Sequence, residues 1–330
     1  MKSPHRRQFL HLAAGAAALP AASRLAWAQT YPTRPITIVV PFAVGGATDV
    51  IGRIVAERMR ASLGQPIIIE NLTGASGTLG VGRGARAAPD GYTLVIGQWT
   101  TFVGNGAVYA LQYDLLNDFE PISLLVETPL LVIAKKAMSA KDLKEFIAWL
   151  KANPNKATQG HAGAGSNLHV AGLLFQKQTG SSFQSVPYRG GAPAQQDLVA
   201  GHIDFMMSAP IESLPQVRLG NIKAYAVTAK TRLAAAPDIP TVDEAGLPGF
   251  YFSEWWGLWA PKRTPKNIIA KLNAAVVDAL ADQAVGQRLA DFGQEIFPRD
   301  RQTPEALGAL HKAEIEKWWP IIKEAGIKVE

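Results

Sequence analysis

One segment, Ile36-Thr-Ile-Val-Val-Pro-Phe-Ala-Val-Gly-Gly-Ala-Thr-Asp49, constrains the fold more than any other. A β-branched run stops at Pro41, a glycine pair follows, and a helical pattern opens at Thr48. That order predicts a strand, a tight turn and a helix N-terminus. The first N–H groups of a helix have no partner within it, and the helix dipole adds partial positive charge at the same end. Such a turn is either an ordinary connection facing water or a seat for a carboxylate or another small anion. Gly45 and Gly46 carry no Cβ and leave room for close approach.

The same grammar returns twice. Gly163-Ala164-Gly165-Ser166 precedes a helix starting near Asn167, and Tyr188-Arg189-Gly190-Gly191-Ala192 precedes one at Pro193. Strands are expected at 36–40, 66–70, 92–97, 130–134, 157–161, 203–208 and 224–228. Helices are expected at 49–63, 78–87, 141–152 (with Ser139 as a cap), 167–179 and 193–200. After Pro265 the pattern is helical, over 266–281, 284–292 and 304–324. Strands alternating with helices predict parallel α/β sheets. The stretches 120–129 and 249–261 read as crossings between domains. They give a discontinuous first domain, 29–125 with 256–330, and an inserted second domain, 126–255. Two α/β lobes joined by two crossings hinge around a ligand in the cleft. In open sheets the ligand lies at the carboxyl ends of the strands, where all three glycine turns fall. A carboxylate held from both lobes would couple binding to closure.

Charge argues little for nucleic acid. The net charge is +6, but residues 1–28 hold Lys2, Arg6, Arg7 and Arg24 and no acid, which leaves the rest at only +2. There is no basic run interleaved with aromatic residues. Residues 1–28 read as an export signal, with Arg6-Arg7 of twin-arginine type, an Ala/Leu-rich stretch and Ala26-Trp27-Ala28 before a cleavage at Gln29. The apolar stretch is too short and too rich in Ala for a membrane span. No cysteine is present, so thiolate chemistry and disulfides are excluded. A protein free in the periplasm is expected.

The side chains around the turns leave alternatives open. Thr48 and Ser166 either donate to the anion or cap their helices. Asp49 accepts from a ligand hydroxyl or water, or pairs with Arg53 one turn on. His169 fits packing or a backbone bond better than ligation, and Arg189 fits solvent better than an ion pair with ligand. Trp255, Trp256 and Trp259 read as core, whereas Phe42 and Trp99, just past strand ends, are candidate shelves for a ligand. Enzyme signatures are poor. There is no Gly-x-Ser-x-Gly elbow, Walker sequence or His-Glu-x-x-His, and His161, His169, His202 and His311 lack metal spacing. No metal or cofactor is expected.

Taken together, the motifs resemble a known family. Tyr31-Pro-x-Arg-Pro-Ile36 and Val40-Pro-Phe-x-x-Gly-Gly-x-Thr-Asp49 are followed by Leu63-Gly-Gln-Pro66, Glu70-Asn71, Gly74-Ala75 and Pro89-Asp-Gly-Tyr-Thr-Leu94. His169, Val186-Pro-Tyr-Arg-Gly-Gly-Ala-Pro193, Pro237-Asp-Ile-Pro-Thr-Val-Asp-Glu-Ala-Gly246, Gly257-Leu258, Ala260-Pro261 and Thr264-Pro265 complete the series. In order and spacing this is similar to the Bug-type receptors, the periplasmic solute-binding proteins of tripartite tricarboxylate transporters. The resemblance implies a two-lobed periplasmic binding protein of type II-like α/β fold. It implies a small organic carboxylate as ligand, the membrane subunits of a tripartite transporter as partners, and a monomer without catalysis. It carries over Phe42, Gly45, Gly46, Thr48 and Asp49 from the first lobe as ligand-binding residues. From the second lobe come Ala164, Gly165, Ser166, His169, Gly190, Gly191 and Asp204. A sensor for a signalling partner and a secreted α/β enzyme are the competing readings.

Two departures from the family pattern remove charge. Asn71-Leu-Thr-Gly74 replaces the usual Asn-Arg-Pro-Gly, and Leu173 stands where an acid is usual. Both lean towards an aromatic or less-charged carboxylate over a tricarboxylate.

Overall fold

The computed structural model describes residues 31–324 and 326. The expected export signal over 1–28 lies outside the described residues. Residues 1–33 form a separate unit, of which only 31–33 are described, without helix or strand. Everything below concerns the unit from Arg34 onwards.

The β-branched run that opens the chain forms β1 (Ile36–Val40), parallel to β2 (Ile67–Asn71) and β3 (Thr93–Gln98) on its two sides. Four of its five residues are buried, as a strand covered on both faces requires. β4 (Phe119–Pro129) leads directly into β5 (Leu131–Lys135), which belongs to a second sheet. That sheet adds β6 (Thr158–His161), β7 (Gln184–Pro187), β8 (Phe205–Ser208) and β9 (Ile222–Val227), in the order β7-β6-β8-β5-β9. The chain then returns on β10 (Ser253–Pro261) and closes with the short β11 (Glu295–Ile296). The first sheet has the order β11-β4-β10-β3-β1-β2.

Both sheets are mixed, not parallel as the alternating pattern suggests. β10 lies antiparallel between β3 and β4, and β5 is antiparallel to β8 and β9. The cause is the insertion. The chain leaves the first lobe on one strand and comes back on its neighbour, so the two must run in opposite directions. β5 likewise runs away from the crossing, while β6 and β8 run back towards it.

The crossings meet at three residues. Leu130 N–H donates to Phe252 O (3.2 Å) and Thr228 N–H to Leu130 O (2.8 Å). Phe252 N–H donates to Thr228 O (3.1 Å). The Thr228 hydroxyl accepts from Leu130 N–H (2.9 Å) and donates to Phe252 O (2.6 Å). The strands therefore change sheets at Leu130 and Phe252, a few residues from the expected borders at 125/126 and 255/256.

Among the described residues the longer helices are α1 (Ala47–Leu63), α2 (Thr78–Ala85), α3 (Leu143–Ala152), α4 (Asn167–Thr179), α5 (Gly191–Ala200), α6 (Pro210–Arg218), α7 (Lys266–Ala281), α8 (Gln283–Ala290) and α9 (Pro304–Glu324). The cap of α3 is Asp142, which accepts from Glu145 N–H at 2.8 Å, and not Ser139. Trp255, Trp256 and Trp259 are buried in the core as read from the sequence, and Phe102 stacks on Trp259 with centroids 3.7 Å apart. Trp99 is core as well. It is fully buried and edge-on to Phe252 and Trp318, so it offers no shelf to a ligand.

Candidate functional site

In the turn between β1 and α1 all three N–H groups at the tip are engaged by other groups of the chain. Gly45 N–H donates to Asp49 Oδ2 (2.9 Å) and Gly46 N–H to Ala43 O (3.2 Å). Ala47 N–H, at the first position of α1, donates to Glu212 Oε1 at 2.7 Å. Glu212 stands on α6, in the other lobe. A carboxyl group of the chain itself thus occupies the N-terminus of α1. Gly45 has φ +83°, a conformation that only glycine adopts without strain.

Around this contact the two lobes enclose a cavity of about 20 Å³, room for one water-sized group. Phe42, Gly46, Ala47, Thr48, Gln98 and Glu254 line it from the first lobe. Ala162, Asn167, Leu168, Gly191, Ala209 and Glu212 line it from the second. A second pair of bonds crosses the same cleft. Asn167 N–H donates to Thr100 Oγ1 (2.9 Å), whose hydroxyl donates to Asn167 Oδ1 (3.0 Å). Glu254 Oε1 and Asn167 Nδ2 are buried without a close hydrogen bond to any other group, and the Asn167 side chain pulls the Glu254 carboxyl down. Burial pushes the Glu212 carboxyl up to about 7, against the pull of Ala47 N–H and the Ser208 hydroxyl. Burial and then the charge of Glu212 hold Glu254 well above the usual carboxylate range.

Beside this cavity lies a wider, open hollow of about 830 Å³, lined among others by Ser76, Tyr109, His161, Gly163, Ala164, His169, Tyr188 and Arg189. The chain passes from one space to the other within two steps. Ala162 and Leu168 face the inner cavity, and their neighbours Gly163 and His169 face the hollow. His161 and His169 stack with centroids 4.3 Å apart. Burial lowers both, with the neighbouring ring adding to it at His161, to about 3 for His161 and about 4 for His169. Both rings are neutral near pH 7. His169 Nδ1 accepts from Gly165 N–H at 3.2 Å, the backbone bond favoured from the sequence.

The candidate residues therefore sort into groups. Phe42, Gly46, Thr48 and Gly191 line the inner cavity; Ala164 and His169 line the outer hollow. Gly45, Gly165 and Gly190 shape the turns, each with positive φ. Thr48 does not cap α1. Its hydroxyl donates to Gln98 Oε1 (2.8 Å) and accepts from Trp256 Nε1 (3.0 Å). Ser166 does cap α4, accepting from His169 N–H at 3.2 Å.

Two acids fall away from the cleft lining. Asp49 is 2% exposed and bound by Arg53 (2.9 Å), Asn71 Nδ2 (2.9 Å) and Gly45 N–H. Burial alone would raise its pKa, but these partners lower it below the ordinary value. Of its two readings the Arg53 pair holds, and Asp49 braces the turn from behind. Asp204 pairs with Lys135 (2.7 Å) and accepts from Thr158 N–H (2.8 Å). It precedes β8 and bonds the first residue of parallel β6, whereas the glycine turn follows the last residue of β6. A strand's length thus separates Asp204 from the cleft.

Sequence reasoning missed Glu212, Glu254, Gln98 and Asn167. One signal was available. Glu254 is a lone acid within Phe250-Tyr-Phe-Ser-Glu-Trp-Trp-Gly-Leu-Trp259, a run apolar enough to be buried. An acid in such a run requires a reason.

The family model described as tripartite tricarboxylate transporter family receptor, TctC, matches residues 51–327. The chain belongs to the TctC family. Among solved structures it is similar to the periplasmic binding protein BugD, with 38% identity, a TM-score of 0.87, and coverage of 91% of this chain and 100% of that one. It is also similar to MatC of Rhodopseudomonas palustris with bound malate (41% identity, TM-score 0.85, covering 88% and 100%). A third, Rpa4515 of R. palustris with adipate, is 32% identical with a TM-score of 0.87, covering 91% and 100%. The TctC-type fold, two α/β lobes joined by two crossings, is the one expected from the motifs.

Proposed function

We propose that this TctC-family chain is a periplasmic solute-binding receptor. It captures a small organic carboxylate between its lobes by hinge closure and delivers it to the membrane subunits of a tripartite transporter, with no chemistry of its own. The lobes divide as residues 34–129 with 253–324, and 131–227. The observation that carries the reading is the convergence of glycine turns from both lobes on one cleft, two of them after the parallel strands β1 and β6, with a pivot at Leu130 and Phe252. Such a cleft is where ligands of open α/β sheets bind. The carboxylates named with MatC and Rpa4515, malate and adipate, support the ligand class for this chain. Backbone N–H groups of the turns are the proposed contacts, which for the first turn means that ligand displaces Glu212 or binds beside it.

Calorimetric titration with malate, adipate, citrate and benzoate tests this. Saturable one-to-one binding of at least one, lost in Gly191→Val, is expected. Absence of binding across a panel of aliphatic, aromatic and amino carboxylates would overturn it.

A further inference from the structure

Two carboxyl groups from opposite lobes meet in the inner cavity, and no cation stands between them. Glu212 comes from α6 and Glu254 from β10, and the residues lining the cavity include no Lys, Arg or His. Glu254 is only 3% exposed. Each acid is held by neutral groups alone. Glu212 takes Ala47 N–H from the first lobe, with the Ser208 hydroxyl beside it. Glu254 is met by the Asn167 side chain from the second lobe. Two buried carboxylates in one small space cannot both stay ionised. The partners suit a neutral Glu212. Ser208 gives its own hydrogen to Ala209 O (3.3 Å), which leaves its oxygen to accept from a protonated carboxyl.

No neighbouring charge takes the place of a proton. On α1, Asp49 and Arg53 pair with each other. Arg83 and Arg86 of α2 are exposed. His161 and His169, before and on α4, are neutral near pH 7. Asp197 of α5 binds Tyr188 and His202, and Arg218, in the last turn of α6, binds two carbonyl oxygens. Lys135 of β5 pairs with Asp204, and Lys223 of β9 binds Met138 O and Ala140 O. Glu127 of β4 lines a different hollow together with Arg301.

We infer that closing the lobes takes up a proton, which Glu212 and Glu254 hold between them in the closed form and return to water on opening. The inference rests on the hinge closure proposed above and holds whichever ligand binds. Opening parts the two acids and wets them, so each returns towards the ordinary 4.5. The closed form holds the proton more tightly than the open one. The closed-to-open ratio therefore falls as pH rises, about tenfold per unit for each proton, between about 4.5 and about 7.

Small-angle scattering of the full chain without ligand tests this, at about pH 5 and about pH 8. Wild type is expected to have the larger radius of gyration at the higher pH. Glu212→Gln/Glu254→Gln, whose amides copy neutral carboxyls, is expected to stay compact at both. Gly104→Ala sets a Cβ against Gly165 O of the other lobe and is the reference for an opened molecule. No change in wild type, where Gly104→Ala is enlarged, would overturn the inference and leave hinge closure standing. An equal change in the double variant would also overturn it, since other groups would then drive the opening. If neither pH nor Gly104→Ala alters the radius, the inference falls together with the hinge. Infrared spectra give a second reading. At about pH 6 wild type is expected to show the carbonyl band of a protonated carboxyl that the double variant lacks, and identical spectra would overturn the inference.

Discussion

The carboxylate of Glu212 in one lobe lies 2.7 Å from the backbone N–H of Ala47 in the other. A helix N-terminus that should attract a ligand's carboxylate is thereby matched by an internal one. At that distance it is a short hydrogen bond, and it joins the lobes.

Removing that acid should therefore loosen the closed form. Glu212→Ala is expected to lower stability by about 1–3 kcal/mol, the usual cost of leaving a buried donor without its partner. It should also enlarge the radius of gyration measured by small-angle scattering without ligand. An unchanged scattering profile would show that the Glu212 contact does not hold the lobes together.

The same residue predicts a pH dependence. The Glu212 carboxyl rises from 4.5 to about 7 on folding. The native state thus keeps a proton that the unfolded chain releases. The stabilisation is complete below about pH 4.5 and is lost as pH rises through about 7, and Glu254 acts in the same direction. The difference in melting temperature, wild type minus Glu212→Gln, should therefore fall between pH 5 and pH 7.5 (values near the folded and unfolded pKa, roughly). A flat or rising difference would refute it.

Buried histidines work against this trend. His161 and His169 fall to about 3 and about 4 from 6.5, so the unfolded chain binds protons that the native state refuses. Their contribution is full above about pH 6.5 and is lost as pH falls towards 4. In His161→Asn/His169→Asn the acid side of the melting profile should be shallower than in wild type, as differential scanning calorimetry would show.

Gly104 offers a way to prop the cleft open. A Cβ there would strike the carbonyl oxygen of Gly165, which belongs to the opposite lobe, and also Trp99 of its own. Backbone cannot yield as a flexible side chain can. Gly104→Ala is expected to weaken ligand binding at least tenfold, roughly 1.4 kcal/mol, through loss of closure. Unaltered affinity in a folded variant would mean that binding does not need these backbones in contact.

The fold was legible where periodicity is local. The strand at Ile36–Val40, the helix at Asn167–Thr179 and the helix at Pro304–Glu324 stand where their patterns put them. β4 and β10 were legible as two crossings between the lobes, but not their antiparallel pairing inside the first sheet, because each one's partner lies across the inserted lobe and no local signal marks it. In the site, the turns and their glycines were legible, since positive φ at Gly45, Gly165 and Gly190 demands that residue. Glu212 and Glu254 were not. Glu212 looks like a solvated acid until the first lobe packs against it, and the apolar run around Glu254 marks its burial but not the acid it faces. Asp204 erred the other way, because a short distance along the chain from the cleft loops became the length of a strand in space.

At the hinge, a single hydroxyl, that of Thr228, bonds to both crossings at once, taking Leu130 N–H and giving to Phe252 O. Two independent tethers would let one half of the molecule slide or splay against the other. Fastened at one spot, they leave it a swing, so that the closure proposed above would bring the same pairs of atoms together on every cycle.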